Sequence, residues 1–107
     1  MLGVRHTRRV AWKRHYALQH YVGYVTVTDD TIRLAGREHA TGIDAALTIP
    51  YTAITAVRVA DAADEEVVGA ASVVLELRGD DSICVRPVDA GELDLDAFAR
   101  RLLPLTV

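Results

Sequence analysis

Two oppositely charged segments hold the side chains of this sequence that could bind a partner. The first is basic and aromatic and lies near the N-terminus, with Arg5, Arg8, Arg9, Trp12, Lys13 and Arg14. Cationic side chains neutralise phosphates, and an aromatic ring can stack on a base or lie at a membrane interface. The second segment is an acidic loop that contains Asp61, Asp64, Glu65 and Glu66. These two segments are therefore the candidate contact sites for a partner.

The basic segment allows three interpretations. The sequence favours a flexible, solvated basic segment over residues 1–10 with Trp12 packed on the domain, because the net charge is −3 and no nucleic-acid-binding signature is present. In the second interpretation the segment binds an anionic membrane surface or nucleic acid, and nucleic acid is the less favoured of the two. In the third it docks on the acidic loop of a neighbouring subunit, which would give a homo-oligomer held by protein–protein contacts.

The sequence contains no set of residues typical of a metal site or a catalytic centre. Neither a zinc finger nor a zinc protease has the spacing of His6, His15, His20 and His39. The acidic loop lacks the alternating ligands and the glycine of a calcium-binding hand. Cys84 lies in a strand-like alternation without a base nearby in the sequence. We therefore expect a protein that is not an enzyme and that uses no metal, cofactor or small-molecule substrate.

The composition is that of one soluble globular domain. The chain has 107 residues, of which half are apolar and a quarter are charged. Its single cysteine cannot form an internal disulfide, which fits a reducing compartment. Eleven arginines against one lysine are typical of a GC-rich bacterial genome. We therefore expect one domain over residues 1–107 in the bacterial cytoplasm, with contact at the membrane surface as an option.

Charge is distributed unevenly along the chain. Residues 1–40 hold seven cations and three acids, a net charge of +4, whereas residues 41–107 hold five cations and twelve acids, a net charge of −7. A polarised molecule of this kind attracts anionic partners at one end, or further copies of itself.

Alternating apolar residues predict that β-strands position these charged segments. Residues 22–34 read as a hairpin around Asp29 and Asp30, and a loop over residues 37–41 precedes a strand over residues 43–49. The stretch LTIPYTAITAVRV, residues 47–59, predicts a strand that ends at Pro50, a corner too short for a helix, and a second strand. Its core residues are expected to be Leu47, Ile49, Ile54 and Val57.

The remaining elements are a leading strand, a second hairpin and a helix. The leading strand is expected over roughly residues 11–20, and the hairpin pairs residues 73–77 with a strand that Pro87 ends. Asp94 is a candidate N-cap, followed by one apolar stripe at Leu95, Phe98 and Leu102. The prediction is therefore a mainly β protein: a bent antiparallel barrel of about six to seven strands, capped by one C-terminal α-helix.

This order of elements resembles the pleckstrin-homology-like superfold, in particular small bacterial PH-like and GRAM-like domains. The resemblance is carried by VGYVTVTDDTIRL (22–34), TGIDAALTIPYTAITAV (41–57) and SVVLELRGDDSICV (72–85) followed by LDAFARRLL (95–103). It implies a bent barrel with a C-terminal helix and a non-catalytic role in binding lipids, peptides or proteins. The phosphoinositide site of such domains uses clustered cations in the first hairpin loop, where this chain has Asp29 and Asp30. Phosphoinositide binding is therefore not expected.

Overall fold

Seven antiparallel strands form one strongly curled sheet, which makes a half-barrel. The computed structural model describes residues 6–15, 17–60, 62–67 and 69–88. The strands are β1 (His6–Arg14), β2 (Tyr21–Val27), β3 (Thr31–Glu38), β4 (Asp44–Pro50), β5 (Ile54–Val59), β6 (Val73–Leu77) and β7 (Asp81–Pro87). Their order across the sheet is β4-β3-β2-β1-β7-β6-β5. The expectation of a mainly β, antiparallel fold of up to seven strands is confirmed.

The curl of the sheet encloses one main core and leaves a smaller one outside it. Strand β1 pairs with β2 on one side and with β7 on the other, so it joins the two halves of the sheet. The concave side buries a cluster of eleven residues: Val10, Trp12, Val25, Ile32, Leu34, Ile49, Ile54, Val73, Leu75, Ile83 and Val85. On the convex side, Val67 from the β5–β6 connection packs with Ala11, Val74 and Cys84. This connection therefore covers the outer face of β1, β7 and β6.

Two glycines allow β2 and β3 to approach closely beneath the only tryptophan. Gly23 lies directly opposite Gly36 in the β2–β3 pair. A Cβ atom at Gly23 would lie 2.1 Å from the Ala35 carbonyl oxygen and 2.4 Å from the Gly36 Cα. A Cβ atom at Gly36 would lie 3.2 Å from the Trp12 Nε1 atom. Since only glycine lacks a Cβ, the pair makes room for the Trp12 indole on the concave side.

The corner after Pro50 has the predicted form. Strand β4 ends at Pro50, one 3-10 turn covers Tyr51–Ala53, and β5 begins at Ile54. The Tyr51 backbone N–H donates to the Asp30 carbonyl at 3.1 Å, and its phenol donates to the Thr28 carbonyl. Ile49 is 3% exposed and Ile54 is 5% exposed, and the other two predicted core residues of the corner, Leu47 and Val57, pack against the same cluster while partly exposed.

Two of the predicted element boundaries differ from the observed ones. The leading strand covers His6–Arg14, not residues 11–20, because the chain turns after Arg14, whose carbonyl accepts the Ala17 N–H at 3.0 Å. Strand β3 continues through Gly36 to Glu38, so the predicted loop over residues 37–41 begins later. The helix expected after Asp94 lies outside the described residues. Within the part of the chain that the structure describes, no helix has the length and apolar character to cross a bilayer.

Candidate functional site

The alternation of side chains along β1 divides the predicted basic segment between two faces. Trp12 is 3% exposed, its ring stacks on Tyr21 with centroids 4.4 Å apart, and its Nε1 donates to the Ala35 carbonyl at 3.2 Å. Arg8 pairs in register with buried Val25 and shares the concave side with Trp12, whereas Arg9 is exposed on the convex side. Arg5 lies outside the described residues. The segment is therefore a strand with two different faces.

The other two cations of the segment have partners in the same chain. Lys13 is 8% exposed, and its ammonium donates to the backbone carbonyls of Ala17, at 3.2 Å, and Asp64, at 2.8 Å. Arg14 is exposed and donates from Nη1 to the Asp81 Oδ2 at 2.7 Å. Lys13 is therefore a structural anchor. A buried ammonium without these two acceptors would lose its hydration without a compensating hydrogen bond, which would destabilise the folded state.

The predicted acidic loop lies against this anchor. Asp64 and Glu65 belong to a 3-10 turn over Ala63–Glu65, and Glu66 follows it partly buried. Asp61 lies outside the described residues. The basic segment and the acidic loop therefore meet, as their charges suggest, but they meet inside one chain through Lys13 and the Asp64 carbonyl. Docking of this loop on a neighbouring subunit stays a prediction.

The strongest charge contacts of the loop involve Arg58, which the sequence did not single out. Glu65 is 4% exposed, and its carboxylate accepts hydrogen bonds from both terminal nitrogens of Arg58, from Nη1 at 2.9 Å and from Nη2. The Arg58 Nε donates to the Glu76 Oε2 at 2.6 Å. These two carboxylates raise the pKa of Arg58 above its already high usual value. Arg58 therefore fixes the buried Glu65 carboxylate on the strands below.

His15 connects the loop to β7 through a chain of hydrogen bonds. Its Nδ1 lies 2.9 Å from the Ser82 Oγ, and its Nε2 lies 3.1 Å from the Asp64 Oδ2. These are the residue types of a serine-hydrolase triad, but the ring nitrogens are exchanged, because such a triad places the serine on Nε2 and the aspartate on Nδ1. We therefore interpret the chain of hydrogen bonds as a structural tie that holds the loop on β7.

Cys84 is fully buried behind this loop, and its chemistry follows from that position. Burial raises the pKa of the Cys84 thiol to about 11, since the apolar surroundings disfavour the thiolate. We expect the folded protein to react with a thiol reagent such as dithionitrobenzoate at least about tenfold more slowly than the urea-unfolded protein at about pH 8. Release of thionitrobenzoate measures both rates. Equal rates would show that the thiol is accessible in the folded state.

The remaining histidines do not gather into a metal site. The rings of His20 and His39 stack with centroids 4.8 Å apart at neighbouring loops, and the His39 N–H donates to the His20 carbonyl. Among the residues that the structure describes, no group of three or more His, Cys, Asp or Glu side chains could hold a metal ion.

One of the two edge strands of the described sheet, β4, adjoins a small open cleft. Strand β4 has β3 as its one neighbour in the described sheet. The cleft has a volume of about 160 Å³ and is lined by residues of β4 and of the β1–β2 region: Trp12, Arg14, Ala17, Gln19, Tyr21, Ala45, Ala46 and Leu47.

No protein-family model matches this chain, and no curated protein matches its sequence.

Proposed function

We propose that this protein is a non-enzymatic module of the PH-like type that acts through protein–protein contacts and assembles with further copies of itself in the bacterial cytoplasm. The PH-like assignment is supported by the seven-stranded curled sheet and by the corner at Pro50. The single observation that carries the assembly proposal is the edge of β4, one of the two edge strands, whose outer backbone groups have no partner among the described residues.

The hydrogen-bond alternation of the β3–β4 pair decides which groups that edge presents. The Glu38 N–H donates to the Ile43 carbonyl, and the Tyr51 N–H donates to the Asp30 carbonyl. In an antiparallel pair such bonded positions recur at every second residue. The N–H and C=O groups that point away from β3 therefore belong to Asp44, Ala46 and Thr48.

Strand β4 lacks the usual protection of an edge strand over its middle. Natural edge strands carry lysines, prolines or bulges that prevent pairing with another chain. Here Asp44 and Pro50 stand at the two ends, and residues 45–49 between them are uncharged. An open edge of this kind supports strand addition, in which main-chain hydrogen bonds bind an extended segment.

A second copy of β4 suits this edge. In a symmetric antiparallel pair centred on Ala46, Asp44 of one copy would lie opposite Thr48 of the other. Thr48 is the register partner of Arg33 on β3, so the carboxylate would lie one strand away from a guanidinium. The same backbone groups and the same charge pair would be used twice, as a two-fold interface requires.

A proline at position 46 tests this interface directly. Ala46→Pro removes the outward N–H and places the ring at the edge, so we expect the dissociation constant of the oligomer to rise at least about tenfold. Light scattering coupled to size exclusion, over a range of protein concentrations and at low and high salt, measures the change. We expect wild type to be larger than the 11.7 kDa monomer.

Ala46→Val is the matched control, because valine at the same position keeps the backbone donor. It should assemble like wild type, and the melting temperatures of both variants show whether each remains folded. A wild-type protein that is monomeric in every condition, or a folded Ala46→Pro variant that still assembles, would contradict the proposal.

The alternative from the sequence, anionic membrane contact through the basic segment, has less support. Trp12 and Lys13 are buried, which removes two of its six predicted contact residues. We therefore rank assembly through the β4 edge first.

A further inference from the structure

Strand pairing gathers four arginines that are far apart in the sequence on the convex face of the sheet. We name this surface the arginine face and define it by Arg9, Tyr24, Arg33, Arg37 and Arg86. These five residues come from β1, β2, β3 and β7, and only Arg9 belongs to the basic segment near the N-terminus. The arginine face lies on the outer surface of β1–β3 and β7, beside the β4 edge proposed above, and Arg33 adjoins both surfaces.

Tyr24 is at the centre of the arginine face. It is 50% exposed, and Arg9 lies directly opposite it on β1. Its partner on the other side is Ala35, and Ala35 in turn pairs with Ala46. Both alanines are exposed and small, so no large side chain lies directly opposite the phenol ring on the β3 side.

The remaining arginines lie around this ring in the register of the sheet, with Arg86 two strands away from it. Arg33 and Arg37 are each two residues from Ala35, which makes them the diagonal neighbours of Tyr24 on β3. Arg37 donates to the Asp44 Oδ1 at 3.1 Å, and both side chains of this pair are mostly exposed, so the bond is weak in water. Arg86 is half-buried: its Nη1 donates to the Pro87 carbonyl at 3.2 Å, and its buried Nε has no hydrogen-bond partner among the described residues. The face is therefore cationic in a chain that is acidic overall.

Hydroxyl groups complete the surface. Thr26 and Thr48 flank Arg33 in register, and Thr7 lies opposite Thr26 with the two Oγ1 atoms 3.4 Å apart. Threonine hydroxyls commonly bond phosphate or sugar oxygens in nucleic-acid complexes.

We propose that the arginine face binds single-stranded nucleic acid. The guanidinium groups follow the phosphate backbone, and one base stacks on the exposed Tyr24 ring, which is how sequence-tolerant single-strand binders work. A duplex is less suitable, since its bases are stacked on each other. A membrane is less suitable too, because stable surface binding needs several apolar anchors and this face has one aromatic ring.

Fluorescence anisotropy with a short fluorescein-labelled oligothymidylate at low salt tests the proposal. We expect saturable binding. The logarithm of the association constant should fall linearly with the logarithm of the salt concentration, with a slope of about −2 to −3, because about three or four phosphates of a single strand are contacted. Tyr24→Ala should weaken binding by roughly tenfold through the loss of one stacked base. Arg33→Glu should weaken it at least as much and reduce the size of the slope by about one.

Arg78→Glu is the matched control. It makes the same change in net charge, but Arg78 is exposed at the β6–β7 turn and its Nε bonds to the Thr52 carbonyl, away from the arginine face. It should leave affinity within about twofold of wild type. Circular dichroism confirms that each variant is folded.

Four outcomes would overturn the proposal. They are absence of binding at low salt, unchanged affinity in Tyr24→Ala, equal losses in Arg33→Glu and Arg78→Glu, and binding only to phosphatidylglycerol vesicles or heparin. The last would show attraction to polyanions or a membrane without base stacking.

Discussion

Gly23→Ala is expected to destabilise the protein by about 4 kcal/mol or more, a large part of the stability of a small domain. The new methyl carbon would meet the Ala35 carbonyl oxygen at 2.1 Å and the Gly36 Cα at 2.4 Å. Both obstacles are backbone atoms of the paired strand, so no side-chain rotation relieves the clash and β2 must separate from β3. Urea unfolding, followed by the fluorescence of Trp12, measures the loss.

Two other glycines provide matched controls for this substitution. Gly36→Ala should cost less, because its closest backbone contacts lie at 3.0 Å, but it should move the indole, whose Nε1 lies 3.2 Å away, and shift the tryptophan emission. Gly42→Ala meets only the Arg37 Cδ at 3.9 Å, so its cost of about 1 kcal/mol comes from its φ of 72°. If Gly23→Ala were no more costly than Gly42→Ala, the close approach of the strands would be disproved.

Arg58→Met is expected to destabilise the protein by about 3–5 kcal/mol, since it leaves the Glu65 carboxylate buried without its cation. Glu65 is 4% exposed and accepts hydrogen bonds from two of the guanidinium nitrogens, so the carboxylate side of this ion pair is enclosed. Glu65→Met should cost less, because the Arg58 side chain is 37% exposed and reaches water. Urea midpoints at neutral pH measure both.

The double variant Arg58→Met with Glu65→Met distinguishes loss of a charge pair from loss of packing. Replacing both partners by apolar side chains removes the unpaired charge, so we expect most of the stability to return. Glu76→Gln is the exposed control: it also contacts Arg58, but the Glu76 side chain is 40% exposed and the change should cost less than about 1 kcal/mol. A double variant as unstable as Arg58→Met alone would contradict this account.

The sequence predicted the strands that have one wet face. In the second strand of the hairpin predicted over residues 22–34, Ile32 and Leu34 are buried and Arg33 is exposed, so the apolar residues alternate cleanly. Pro50 and Pro87 end their strands because proline lacks a backbone donor. Strand β1 could not be located in the same way. Its residues Val10, Ala11, Trp12 and Lys13 are all buried, because the main core covers one face and the β5–β6 connection covers the other.

Gly36 illustrates a second limit of sequence reasoning. Glycine commonly marks a loop, and the loop over residues 37–41 was predicted partly from Gly36. In the structure it lies within β3, where another backbone approaches too closely for a side chain. A close approach between strands depends on register, which local sequence does not determine.

The candidate sites, like the strands, could be predicted from the sequence only in part. The sequence predicts docking of the basic segment on the acidic loop of a neighbouring subunit, which stays a prediction, whereas the contact in the structure joins Lys13 to the Asp64 backbone carbonyl within one chain. Arg58 was missed because nothing near it in the sequence identifies its partners. The arginine face was missed because Arg9, Arg33, Arg37 and Arg86 come together only through the register of four strands.

The central position of β1 has a consequence for the order of events during synthesis on the ribosome. Strand β2 pairs with β1, β3 then pairs with β2, and β4 pairs with β3, so this half of the sheet can form in sequence as the chain emerges. The other edge of β1, which includes Val10 and Trp12, must wait for residues 83–87 of β7. During that interval the nascent chain carries an unpaired, apolar strand edge, so this is the stage at which a chaperone would contribute most to the yield of folded protein.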